Sequence, residues 1–245
     1  MRLKSIQATA FKSLFEVLKE IINDVNIYFD SSGVKLTAFD IVRVTLVHVF
    51  MPAENFEEYE CKRPVVLGLN VTNTYKLIKS TGNNDVISME DTPEHLKITI
   101  SNDNKKSFST FNLKLLDLNE EIIDVPEIDI KYATTVPSFD FQKLVRDMMA
   151  IGTELRIKRT ETNIEFSCEG DFASQNTRIE DQPDIGKITC DGIFSLKYIS
   201  MFVKSTVMCP LVQIMQNDDL DSPVIFKYSI ANLGDIKFYL AATNE

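Results

Sequence analysis

Apolar and polar residues alternate along much of this chain. Leu96, Ile98 and Ile100 are interleaved with Lys97, Thr99 and Ser101, and Ile164, Phe166 and Cys168 with Glu165, Ser167 and Glu169. A two-residue period sends successive side chains to opposite faces, so these stretches predict half-buried strands. Turn residues at Ser31-Ser32-Gly33, Gly82-Asn83-Asn84 and Asn232-Leu233-Gly234 interrupt the alternation, and they predict hairpins in antiparallel sheets with one packed face. Four stretches, roughly 9–22, 72–80, 140–149 and 194–204, switch to apolar spacings of three and four and predict short helices. The first gathers Phe11, Leu14, Phe15, Leu18, Ile21 and Ile22 on one side for burial against a sheet, with Thr9 placed to cap it.

The first basic residues of these helices, Lys12, Lys76, Lys143 and Lys197, recur at intervals of roughly a quarter of the chain, as internal duplication would produce. LIKSTGNNDVISM and DMMAIGTELRIKR both read as helix, glycine, strand, at Gly82 and Gly152. The expected organisation is α+β: two similar domains, 1–117 and 131–245, joined by a connector over 118–130. The connector's centre, Asn119 to Asp129, is acidic and holds Pro126, yet it keeps Ile122, Ile123 and Val125, aliphatics that a purely solvated linker does not need.

Charge sharpens this picture. The chain is 44% hydrophobic with a formal net charge of -10, so it is globular, and at long range its surface repels nucleic acid. Any binding to phosphates requires a segregated basic patch. The helices supply one, because each carries a same-side basic pair: Lys12 and Lys19, Lys76 and Lys79, Lys143 and Arg146, Lys197 and Lys204. On a helix a seven-residue gap turns side chains apart by only about 20° and a three-residue gap by about 60°. Lysine dominates the set, and a flexible point charge suits phosphate contact without base reading better than the rigid fork of arginine. Glu16 and Asp147 lie near the same faces, as on any amphipathic helix with a solvated side.

Catalytic signals are missing. The sequence has no G-x-G-x-x-G, G-x-x-x-x-G-K, H-E-x-x-H or G-x-S-x-G. Its two histidines, His48 in a strand pattern and His95 beside a turn, read as structural or solvated, and Asp218, Asp219 and Asp221 as a solvated turn. Cys61, Cys168, Cys190 and Cys209 lack the close spacing of zinc ligands and read as reduced core residues. The opening MRLKSIQATAFKSLFEVLKE carries charges throughout, unlike a secretory signal. The expectation is a soluble intracellular protein that is not an enzyme, holds no metal or cofactor and contacts no membrane.

The segments LKEIINDVNIYFDSSGVKLTAFD, VTNTYKLIKSTGNNDVI, LKLLDLNEEIIDVPE, RDMMAIG and SPVIFKYSIANLGDIKFYLA, in that order, resemble the proliferating cell nuclear antigen family of DNA sliding clamps. The likeness runs from Leu14 to Ala241, nearly the whole chain. It implies the DNA-clamp fold, in which each of two similar domains has antiparallel sheets with two helices on the inner face, and three subunits close head to tail into a ring. All eight basic residues named above match pore-facing positions of the family, while Ser13 stands where many members carry a further lysine. The strand Ser107 to Lys114 would pair with the strand near Phe172 to Glu180 of the next subunit.

The resemblance also implies a pocket for client peptides, matched here by Phe39, Val44, Leu46, Ile123, Val125, Pro126, Pro223, Tyr239 and Ala241. Implied partners are duplex DNA bound without regard to sequence, further copies of the chain as a homotrimer, DNA polymerase, the clamp loader and other carriers of the interacting peptide. Location follows the family: the nucleus, or a cytoplasmic replication site for a viral protein. Arg43 replaces a frequent histidine, Ala242 a frequent proline, and Glu161 a lysine that many relatives have modified by ubiquitin, and little tail follows the last strand. Two alternatives stay open: a monomeric or dimeric processivity factor, and one subunit of a mixed checkpoint-type ring.

Overall fold

The structure, a computed structural model, describes residues 1–118, 123, 125, 128, 130, 132–160, 162–180, 190–217 and 222–243. The first half runs β1 (Arg2–Ser5), α1 (Ala8–Leu18), β2 (Asp24–Asp30), β3 (Gly33–Phe39), β4 (Thr45–Pro52) and β5 (Glu58–Glu60). It continues with β6 (Val65–Asn70), α2 (Val71–Ile78), β7 (Val86–Asp91), β8 (His95–Asn102) and β9 (Ser107–Lys114). The second half runs β10 (Tyr132–Pro137), α3 (Ser138–Met149), β11 (Glu154–Arg159), β12 (Asn163–Glu169) and β13 (Ser174–Glu180). Then come β14 (Cys190–Ser195), α4 (Leu196–Phe202), β15 (Leu211–Gln216), β16 (Val224–Ile230) and β17 (Gly234–Leu240).

By contacts the chain divides into two compact units. Unit 1 is Met1–Ile41, Val47–Val125 and Ser229–Ile236, and unit 2 is Val42–Leu46, Pro126–Tyr228 and Lys237–Glu245. The first half holds a sheet ordered β5-β1-β7-β8-β9 and the run β4-β3-β2-β6; the second holds the run β10-β15-β16-β17 and a sheet ordered β13-β12-β11-β14. Apart from the short β5, both halves therefore repeat one plan of elements with the same strand neighbours.

Apart from β5, each half is itself a strand-helix-three-strand unit taken twice, so the quarter-chain period of the helices reappears in the element order. LIKSTGNNDVISM runs from α2 into β7 and DMMAIGTELRIKR from α3 into β11, the same helix-to-strand step of that unit. The two segments look alike because a glycine ends a helix ahead of a strand in both. At Gly152 a Cβ would come within 2.5 Å of the Glu169 carbonyl oxygen, so packing requires the glycine there.

The helix expectations hold at four places, with different ends. Thr9 lies inside α1, which starts after Gln7 without a side-chain cap; the Gln7 side chain instead accepts the Asn232 amide at 3.1 Å. α1 stops at Leu18, and Ile21 and Ile22 close a turn onto the Leu18 carbonyl at 3.0 and 2.9 Å. Both remain buried, which is why their spacing mimics further helix. α4 ends at Phe202 and continues as a 3-10 segment, Val203–Val207. Among the expected hairpins, Gly82 to Asn84 instead joins a helix to a strand, because the Asp85 carboxylate accepts the Gly82 amide at 2.8 Å and closes a local turn.

The core of unit 1 lies between its helices and strands from both of its sheets. Phe11, Leu14 and Phe15 of α1 meet Phe29, Val49 and Met89 around an apolar void of about 30 Å³. The β2–β3 hairpin is held at its turn: the Asp30 carboxylate accepts the Ser32 amide at 2.7 Å and pairs with Lys35 at 2.9 Å. Gly33 has φ 141°, and a Cβ on it would meet the Met51 carbonyl oxygen at 2.1 Å. Unit 2 is built on a chain of rings. Phe141 lies 5.6 Å from Phe166 and 5.7 Å from Phe226, Phe226 lies 5.8 Å from Phe202, and Phe202 stacks on Phe238 at 4.6 Å.

β17 runs beside β4. In unit 1, a Cβ on Gly234, the first residue of β17, would come within 2.0 Å of the Phe50 carbonyl oxygen. In unit 2, Ala241 just past β17 donates its amide to the Val44 carbonyl just ahead of β4 at 3.2 Å. The two strands are therefore antiparallel.

Phe202→Ala should cost about 3–5 kcal/mol, read from the urea unfolding midpoint, since it removes a fully buried ring from that stack. The Ser32 and Lys35 bonds lower the Asp30 carboxyl from its ordinary 3.8 to about 2. Its stabilising effect is thus present above pH about 4 and is lost as pH falls toward 2. Asp30→Asn should lower stability at neutral pH and flatten the acid side of the stability profile between those values.

Candidate nucleic-acid interface

In unit 1, α1 packs against α2, and α1 buries Phe11, Leu14, Phe15 and Leu18, leaving its polar side to solvent. α2 is capped by Asn70, whose side chain accepts the Asn73 amide at 2.9 Å, as expected for asparagine at that position. Lys12 lies on α1 with its ammonium 3.5 Å from the Thr81 carbonyl beyond α2. Lys19 is the residue that ends α1, and Lys79 ends α2. Lys76 and Lys79 are exposed, Lys12 and Lys19 half-buried.

Lys19 is engaged within the chain. Its ammonium pairs with Glu20 and lies 5.3 Å from the centre of the Tyr75 ring on α2. The Glu20 hydrogen bond pushes the Lys19 pKa above its ordinary 10.5, aided by the charges of Tyr75 and Glu16. Burial, and then the Glu16 carboxylate, push the Tyr75 phenol up in turn. Sequence spacing flagged Glu16 but missed Tyr75, which belongs to the other helix and becomes a neighbour only through packing.

In unit 2, α3 buries Phe141, Leu144, Val145 and Met148 and leaves Lys143 and Arg146 exposed beside Asp140 and Asp147. Gln142 ties α3 to the end of α4 by donating to the Val203 carbonyl at 2.9 Å. Lys197 on α4 lies 5.8 Å from the Tyr198 ring centre. Lys204 falls in the 3-10 segment, so the seven-residue helical geometry expected for Lys197 and Lys204 does not apply; a 3-10 turn advances about 120° per residue. Both remain exposed.

The pocket residues separate by burial. Leu46 and Tyr239 are nearly buried, at 6% and 7% exposure, while Phe39 is 38% exposed. Val44, Pro223, Ile123 and Val125 are half-buried and Ala241 is exposed. The Val44–Ala241 backbone bond brings two of them together. Pro126, the connector residues Asn119 to Ile122, Glu161 and Asp218, Asp219 and Asp221 lie outside the described residues. Ile41 and Val42, 83% and 63% exposed, were passed over in the sequence; an apolar pair between Asp40 and Arg43 in a turn is the signal that points to them. Cys168 and Cys190 are buried, but Cys61 and Cys209 are only half-buried. His48 accepts or donates at Nδ1 to the Thr37 hydroxyl at 3.0 Å across neighbouring strands, a structural contact. No helix among the described residues is long and apolar enough to cross a membrane.

Two family models match the chain: the N-terminal domain of proliferating cell nuclear antigen over residues 1–122 and its C-terminal domain over 124–243. A protein of Paramecium bursaria Chlorella virus 1 named "Probable DNA polymerase sliding clamp 1" is 36% identical over 252 residues, covering 98% of this chain and 95% of the relative. The proliferating cell nuclear antigen of Chaetomium thermophilum is 29% identical over 247 residues, covering 96% of this chain and 95% of the relative. With both of its halves matched in order, this chain belongs to the proliferating cell nuclear antigen family, with that family's two-domain clamp fold.

Proposed function

We infer that this chain works as a DNA sliding clamp, a processivity factor that encircles duplex DNA and docks a polymerase onto it. In a chain of net charge -10, eight cations lie on or directly after the four helices, six of them exposed, and that clustering supports the reading above all else. Duplex DNA is attracted to the cationic lining and repelled by the acidic remainder. Closure of the ring then retains it topologically, so each phosphate contact can stay weak and exchange as the clamp moves. No bond-making step is required, and the family is one of binding platforms.

The ring we propose is a homotrimer joined head to tail by β9 of one subunit and β13 of the next. By element order β9 is the counterpart of β17 and β13 the counterpart of β4, and β17 with β4 already form an antiparallel pair in the chain. β9 and β13 each end a sheet, and pairing them satisfies backbone groups that an edge leaves open. Within each subunit the boundaries are 1–117, 118–130 and 131–245. Polymerase, clamp loader and other clients would dock an interacting peptide against the residues from Phe39 to Ala241 named above, with the exposed Ile41 and Val42 beside them in sequence. The protein acts where DNA is copied, in the nucleus of a cell or at the replication site of a virus.

Light scattering should give a mass near three times the 27.9 kDa of one chain; a single-chain mass at micromolar concentration would rule out the homotrimer. Changing Lys19, Lys79, Arg146 and Lys204 to Glu should abolish stimulation of a polymerase while leaving that mass unchanged, and undiminished stimulation would remove these residues from the DNA path. Ile123→Ser with Val125→Ser should weaken a client peptide by about 1–3 kcal/mol in a binding titration, the loss expected from two partly buried aliphatics.

A further inference from the structure

β9 ends the β5-β1-β7-β8-β9 sheet and β13 ends the β13-β12-β11-β14 sheet, so among the described residues β9 pairs with β8 alone and β13 with β12 alone. Both edges are open to solvent. Phe108 on β9 is 71% exposed and Phe172 ahead of β13 is 77% exposed, far more than aromatic side chains normally are.

The two edges differ in charge. Residues 105–114 include Lys105, Lys106 and Lys114 and no acid, whereas residues 169–180 include Glu169, Asp171 and Glu180 with one cation, Arg178. All of these are exposed. Arg178 is committed within its own sheet, with its guanidinium 3.2 Å from Glu165 on β12. Lys105 lies close enough to Asp85 to help hold that carboxyl below its usual range, after the Gly82 and Asn102 hydrogen bonds. Lys106 and Lys114 thus flank one edge with positive charge, and Asp171 and Glu180 flank the other with negative charge.

We propose that these flanking charges select head-to-tail joining of copies and oppose two-fold pairing of like edges. Two β9 edges would bring lysine against lysine, and two β13 edges carboxylate against carboxylate; like charges facing across strands are destabilising. Only β9 against β13 sets opposite charges together, and that joint is heterologous, the kind that closes into a ring. The inference rests on the ring reading above and adds what excludes a two-fold dimer at the same edges.

Orientation follows from the antiparallel β17 and β4. With the same sense, Lys106 comes beside Glu180 of the partner subunit and Lys114 beside Asp171 of the partner subunit. Each edge strand also carries an apolar face. Phe111 and Leu113 share a face with Ile98 and Leu96 by their register on β8, and Thr177 and Ile179 share one with Phe166 and Ile164 on β12. With Lys106 directly opposite Glu180, odd-numbered residues of the two strands meet and these apolar faces share one side of the sheet, whereas a one-residue slip parts them.

The test is light scattering and sedimentation of the full chain with the edges reversed singly and together. Lys106→Glu with Lys114→Glu, and separately Asp171→Lys with Glu180→Lys, should each raise the dissociation constant of the assembly at least about tenfold. The chain carrying all four changes should return to within about threefold of the unaltered protein. For the unaltered chain, raising NaCl from about 0.05 to 0.5 M should weaken assembly, as screening of exposed charges requires. Single-edge variants that assemble normally overturn the charge selection and leave the ring standing, as does a fourfold variant that stays apart with unchanged thermal unfolding. If a variant fails to fold, salt-insensitive assembly of the unaltered chain overturns the proposal by itself. An unaltered chain that remains monomeric overturns the ring.

Discussion

Coulomb repulsion is the constraint under which the rest of this structure is organised. An acidic chain that binds a polyanion has to gather its cations where the phosphates come, since its net charge repels them elsewhere. Amphipathic helices laid on sheets do this cheaply: the apolar side fixes each helix, and the opposite side is free to carry lysine. On α3, Phe141, Leu144, Val145 and Met148 are inward and Lys143 and Arg146 outward, with Asp140 and Asp147 exposed beside them. The segregation is incomplete at Lys19, where Glu20 and Tyr75 take up part of the charge. A cation so engaged contributes less to phosphate binding than Lys79 or Arg146 on an exposed surface.

The same edges that make a sheet dangerous make a ring buildable. An unpaired strand invites any other strand, so a subunit with two open edges needs a rule for which edge meets which. Duplication supplies a template: the pairing of β17 with β4 is the joint that β9 and β13 would repeat between subunits. Charge supplies the sign of the rule. In the proposed ring neither device would require a large apolar patch.

How much of this was legible in the sequence depended on the range of the interaction concerned. Strand alternation at Leu96 to Ile100 and Ile164 to Cys168 reports local burial, and it was read correctly, as were the four helices. Helix ends were not, because Thr9 and Ile22 obey tertiary contacts: Gln7 is held by Asn232, and Ile22 is buried after the helix has stopped. The repeat is legible because each quarter of the chain is the same strand-helix-three-strand unit, which keeps the helices at even intervals. The basic pairs were visible as spacing, yet the Tyr75 contact to Lys19 was not, for it depends on how α1 meets α2. Leu46 and Tyr239 carry the same limit: an apolar residue on a strand looks alike whether it walls a groove or fills a core, and here both are nearly buried.

In the proposed ring, lysine rather than arginine is the residue on which sliding would depend. A bidentate arginine fork holds a phosphate or guanine edge in one geometry, and a ring lined with such forks would meet a barrier at each step along the duplex. Seven lysines and one arginine at the proposed lining instead offer flexible, hydrated charges that exchange one phosphate for the next. Retention then has to come from closure, which places the strength of the complex in the subunit joints. In the proposed ring the tightness of binding would be a property of β9 and β13, while the freedom to move would be a property of the helices.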